Sequence, residues 1–60
     1  MTRLYIANGN QDLFQEINNA LDDTSLDYDI DNGGRYLVDE NDAGKIIDIM
    51  ESLGTDVEII

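Results

Sequence analysis

Neither cysteine nor histidine occurs in the chain. The first absence excludes disulfides and thiolate metal sites as supports for the fold. The second removes the commonest general base and the commonest metal ligand. Positive charge is scarce as well: three Lys and Arg stand against fourteen Asp and Glu, for a formal net charge of -11. A chain of this balance is repelled by nucleic acid and by anionic membranes, and attracted to cations and basic protein surfaces. Long apolar runs are missing too, so no segment approaches membrane-spanning length. The start, Met1-Thr2-Arg3-Leu4-Tyr5-Ile6-Ala7, reaches Asn8-Gly9 after a short apolar run. No signal peptide is expected from this pattern, and a cytoplasmic location is expected.

What remains is one small domain over residues 1–60. Lacking staples, it needs nearly all its apolar side chains for packing, which leaves little for an enclosed substrate cavity. The middle of the chain is the most informative stretch. Leu26, Tyr28 and Ile30 alternate with Asp27, Asp29 and Asp31, the period-2 pattern of a strand with one buried face. Asn32-Gly33-Gly34 supplies a tight reversal. A three-residue turn sets Ile30 opposite Tyr36, Tyr28 opposite Val38 and Asp31 opposite Arg35, pairing apolar with apolar and acid with base. A two-residue turn would set Ile30 against Arg35 instead, which is worse.

Around this hairpin the periodicity gives a first strand over residues 3–7 and a helix capped by Asn10, with an apolar stripe of Leu13, Phe14, Ile17, Ala20 and Leu21. Asp22-Asp23-Thr24-Ser25 ends that helix. Asp39 or Asn41 caps a second helix with the stripe Ala43, Ile46, Ile47, Met50 and Leu53, and Gly54 terminates it. Residues 55–60 close the chain as a strand with Val57 and Ile59 facing in and Glu58 and Ile60 facing out. The expected core also holds Leu4, Ile6, Tyr28, Ile30, Tyr36 and Val38. The order β-α-β-β-α-β predicts an α+β fold: a minimal ferredoxin-like, four-stranded antiparallel sheet, order 4-1-3-2, with both helices on one face. Such a topology hosts many unrelated activities and names none.

The other sheet face is then uncovered. It is expected to display Tyr5, Ala7, Asp27, Asp29, Asp31, Arg35, Leu37, Glu58 and Ile60. Asp27, Asp29 and Asp31 would stand about 6.8 Å apart along the strand, a spacing of the same order as phosphates on a DNA strand. With Asp22, Asp23, Asp39, Glu40 and Asp42 they form a negative band. In charge and size the chain is similar to small acidic proteins that imitate DNA, such as phage and mobile-element inhibitors of restriction, CRISPR or repair enzymes. This expectation is a non-enzymatic inhibitor binding a basic nucleic-acid-handling protein, with no direct nucleic-acid contact, no membrane contact and no cofactor. Its partner-binding residues are Asp22, Asp23, Asp27, Asp29, Asp31, Asp39, Glu40, Tyr5, Leu37 and Glu58.

Two alternatives come from the same residues. The apolar spots Tyr5, Leu37 and Ile60 suit a regulatory or assembly module that docks, or forms a homo-oligomer, through the open face. Asp29, Asp31, Gly34 and Glu40 fall at positions 1, 3, 6 and 12 of a calcium-loop spacing, but position 5 is Gly33 and no helix runs straight into the loop. Ser25 and Ser52 lack a base partner, so no nucleophile is read. Lys45 is expected on the solvent side of the second helix beside Asp42 or Asp48.

Overall fold

The computed structural model describes residues 1–31 and 34–60. Its elements run β1 (Thr2–Ile6), α1 (Gln11–Asp22), β2 (Tyr28–Ile30), β3 (Tyr36–Val38), α2 (Glu40–Ser52) and β4 (Val57–Ile59). The strands form one antiparallel sheet in the order β2-β3-β1-β4. This is the ferredoxin-like arrangement, with the order expected from the sequence. The turn residues Asn32 and Gly33 lie outside the described residues, yet the register they were expected to set is present: Tyr28 faces Val38 and Ile30 faces Tyr36. Asp31 N–H donates to the Arg35 carbonyl at 2.9 Å, so those two residues are opposite as well.

Local chemistry explains each helix boundary. Asn10 sits in extended backbone and its side chain accepts from Leu13 N–H at 2.9 Å, satisfying one first-turn donor of α1. Asp39 does the same for Asn41 N–H at 2.9 Å and so, rather than Asn41, is the cap of α2. At the far end of α2, Gly54 takes φ +84°, while Thr55 N–H reaches the Met50 carbonyl and Gly54 N–H reaches that of Glu51. That is a Schellman termination, which favours glycine at its left-handed position. Thr55 is consequently spent on the helix end, and β4 begins only at Val57.

Alternation decides what is buried. Leu4 and Ile6 from β1 and Tyr36 and Val38 from β3 meet Ile17 and Leu21 of α1 and Ile46 and Met50 of α2 in one cluster. All eight were expected in the core. Two expected core residues are not there: Ile30 is 46 % exposed and Ile59 is 67 % exposed. Both face the helical layer, but they sit on the marginal strands β2 and β4, where two helices of twelve and thirteen residues leave a flank uncovered. Leu26, read with Tyr28 on the buried face of its stretch, packs against the cluster, and so does Ile49, which the stripe of the second helix did not include.

Candidate functional site: two acidic margins and a mixed sheet face

The antiparallel ladders bring the first residues of β1, the start of β2, the end of β3 and the last residues of the chain to one end of the sheet. α1 delivers its C-terminus to this same end, where Asp22 Oδ1 accepts from the Tyr28 hydroxyl at 3.1 Å. α2 starts there, directly after Val38. Two separate connections therefore collect these acids: Asp22, Asp23 and Asp27 at the α1–β2 connection, and Asp39, Glu40 and Asp42 where β3 passes into α2. Among the described residues, no Lys or Arg side chain pairs with any of these six. Asp39 is committed to its cap, and Glu40 and Asp42 occupy the first turn of α2, where the helix dipole favours them.

Asp31 belongs to the opposite end, beside the hairpin turn. Its Oδ1 accepts from the Arg35 backbone N–H at 3.0 Å, and its carbonyl accepts from Gly34 N–H at 3.1 Å, with Gly34 at φ +75°. The band expected from the sequence is thus divided. Asp27 and Asp29 are exposed on the open face, Asp31 is half-buried in the turn, and Asp22, Asp23, Asp39 and Glu40 are exposed at the other end. The same end as Asp31 holds a clasp. Asn8 donates through its amide nitrogen to the Gly54 carbonyl at 3.1 Å, and its Oδ1 accepts from Asp56 N–H at 2.8 Å.

The open face is less acidic than its sequence suggested. One row across it reads Asp29, Leu37, Arg3, Ile60, set by the ladders and by Ile60 N–H donating to the Arg3 carbonyl. The next reads Asp31, Arg35, Tyr5, Glu58, where Tyr5 faces Glu58 directly and Arg35 stands beside Tyr5 by continuation of the β1–β3 register. Two of the three basic residues of the chain therefore lie at the centre, and acids at the β2 and β4 margins. Arg3 was the residue overlooked; it shares the parity of Tyr5 in β1, and that signal would have found it. Nine of the fourteen acids fall on the helices or their caps, against Lys45 alone.

Tyr28 is half-buried and Tyr36 fully buried, and their rings pack with centroids 5.8 Å apart. Tyr36 donates to Asn18 Oδ1 at 2.8 Å, and burial, reinforced by the neighbouring Tyr28, pushes its hydroxyl up to about 12. The Tyr28 hydroxyl is also raised, by burial first and then by its bond to, and repulsion from, the Asp22 carboxylate. Among the described residues no pocket forms, and no three acids stand together as a metal-holding group. The calcium-loop spacing is taken up by β2 and β3, with Asp31 at the turn and Glu40 at the other end of the hairpin. No protein-family model, curated protein or solved structure matches the chain.

Proposed function

We propose that this chain is a non-enzymatic acidic binding protein that occupies the nucleic-acid surface of a basic enzyme or complex and thereby inhibits or sequesters it. Phage or mobile-element inhibitors of restriction and CRISPR systems are the class it would join. One observation supports the reading: Asp22, Asp23, Asp27, Asp39, Glu40 and Asp42 converge on one end of the molecule from two connections, with no cationic side chain among the described residues paired to them. Acids brought together in this way repel one another, a cost that a basic partner relieves.

The test is competition joined to charge reversal. A captured partner should bind nucleic acid, and duplex DNA and rising salt should both release it. The triple variant Asp23→Lys, Asp27→Lys, Asp29→Lys should lose roughly a hundredfold or more in affinity while remaining folded. Those three side chains are exposed, and Asp31 is left intact because its carboxylate holds the turn. A second reading, docking or self-assembly through the open face, draws on the contiguous Leu37, Arg3 and Ile60 row, with Ile60 57 % exposed. If Leu37→Ala with Ile60→Ala abolishes binding and the lysine variant binds normally, the second reading replaces the first.

A further inference from the structure

β2 is a free edge of the sheet. Asp31 N–H donates to the Arg35 carbonyl across the β2–β3 ladder, and alternation makes Asp29 and Leu37 the next hydrogen-bonded pair. The N–H and C=O groups of Tyr28 and Ile30 consequently point away from β3 into solvent. On the open face Asp27 and Asp29 stand exposed beside this edge, and the residue across from Asp29 is the apolar Leu37, not a cation. On the helical face Ile30 is 46 % exposed, whereas its ladder partner Tyr36 is fully buried.

Backbone groups, charges and an uncovered apolar side chain along one strand specify one occupant. We propose that the β2 edge is a strand-addition site for an extended basic segment in which Lys or Arg alternates with apolar residues. The inference rests on the reading of this protein as a ligand of basic partners, and says how such a partner engages it. In antiparallel addition, the apolar residues of the segment exchange hydrogen bonds with Tyr28 and Ile30 and cover Ile30. Its cations then fall opposite Asp27 and Asp29 at the non-hydrogen-bonded positions, where facing side chains approach most closely. A second copy of this chain does not suit the edge, because its own aspartates would face Asp27 and Asp29. β4, the other edge, offers the outward groups of Val57 and Ile59 with Asp56 and Glu58 alternating beside them, whereas β2 adds to Asp27 and Asp29 the neighbouring Asp22, which accepts from the Tyr28 hydroxyl. Backbone pairing by an added strand is a known recognition mode, with side-chain alternation supplying the selectivity.

Two probes test this: a short end-capped peptide of alternating Lys and Val, and the same peptide N-methylated at every valine nitrogen. The pair share charge and side-chain pattern, and only the first can hydrogen-bond to the edge through valine N–H groups. Each is titrated into isotope-labelled protein at about 50 mM salt, where exposed charges are weakly screened, with affinity and amide exchange read together. The unmethylated peptide should bind roughly tenfold or more tightly. It should also slow exchange at the Tyr28 and Ile30 amides and leave Val57 and Ile59 unchanged. Equal affinity for both peptides, without slowing at Tyr28 and Ile30, overturns strand addition and leaves the acidic-surface reading standing. Slowing confined to Val57 and Ile59 also overturns it, because the wrong edge is then in use. No binding of either peptide at low salt overturns both.

Discussion

Thr55 is a buried polar residue, 8 % exposed, and its hydroxyl has no hydrogen-bond partner among the described residues. Its backbone N–H is already satisfied by Met50, so the side chain contributes mainly its shape. Thr55→Val keeps that shape and removes a desolvated hydroxyl, and should raise stability by about 1 kcal/mol. A higher midpoint in urea at unchanged slope is the expected result; a lower one would mean that the hydroxyl is bonded in solution. Tyr36 sets a different residue-scale limit. Its folded-state hydroxyl titrates at about 12, against 10.0 for an ordinary tyrosine, so the folded state holds the proton that the unfolded chain releases first. The stability this contributes is fully present below about pH 10 and is lost as pH rises through about 12. Tyr36→Phe loses the bond to Asn18 and starts from a lower stability near neutral pH, by about 1 kcal/mol. It should then decline less between about pH 10 and pH 12, as followed by urea unfolding across that window. An alkaline decline as steep in the Phe variant would move the cause away from Tyr36.

Asn8 matters more at the scale of elements than of residues, because its amide joins the β1–α1 connection to the α2–β4 connection through Gly54 and Asp56. Asn8→Ala removes both bonds and should cost about 1–3 kcal/mol, with faster amide exchange at Asp56. Unchanged exchange there would mean that the two loops hold their positions without the clasp. The sequence shows Asn8-Gly9 as a break but not this role, since the partners lie 46 and 48 residues away. Local signals were legible: the Asn10 and Asp39 caps, the Gly54 stop and the hairpin register all come from neighbours within a few positions. The eight core residues were legible from periodicity for the same reason. Ile30 and Ile59 were misplaced because alternation reports which face a side chain takes, not whether its strand is central or marginal in the sheet. The acidic band was divided for a similar reason. Sequence proximity of Asp27, Asp29 and Asp31 hides that the last is drawn into the turn, while Asp39 and Glu40 fold back beside Asp22 and Asp23.

At the scale of the molecule, a net charge of -11 is confined within extents of 25 × 24 × 18 Å. Exposed charges more than a Debye length apart, about 8 Å at physiological salt, are largely screened, so the repulsion acts mainly between neighbouring acids of the helices and the strand ends. Modest salt near neutral pH should therefore raise the melting temperature, in a thermal scan followed by circular dichroism, by several degrees per kcal/mol of repulsion relieved. A flat or falling response would mean that capping and helix-dipole interactions already compensate the acids. The pairing of β1 with β4 carries a mechanical consequence. Met1 and Ile60 leave the sheet side by side, and the bond from Ile60 N–H to the Arg3 carbonyl is the outermost rung between the two strands. A force drawing the two ends apart loads that rung alone, then the next, and opens the ladder like a zipper instead of shearing it all at once. The chain should thus yield readily to traction applied at Met1 and Ile60.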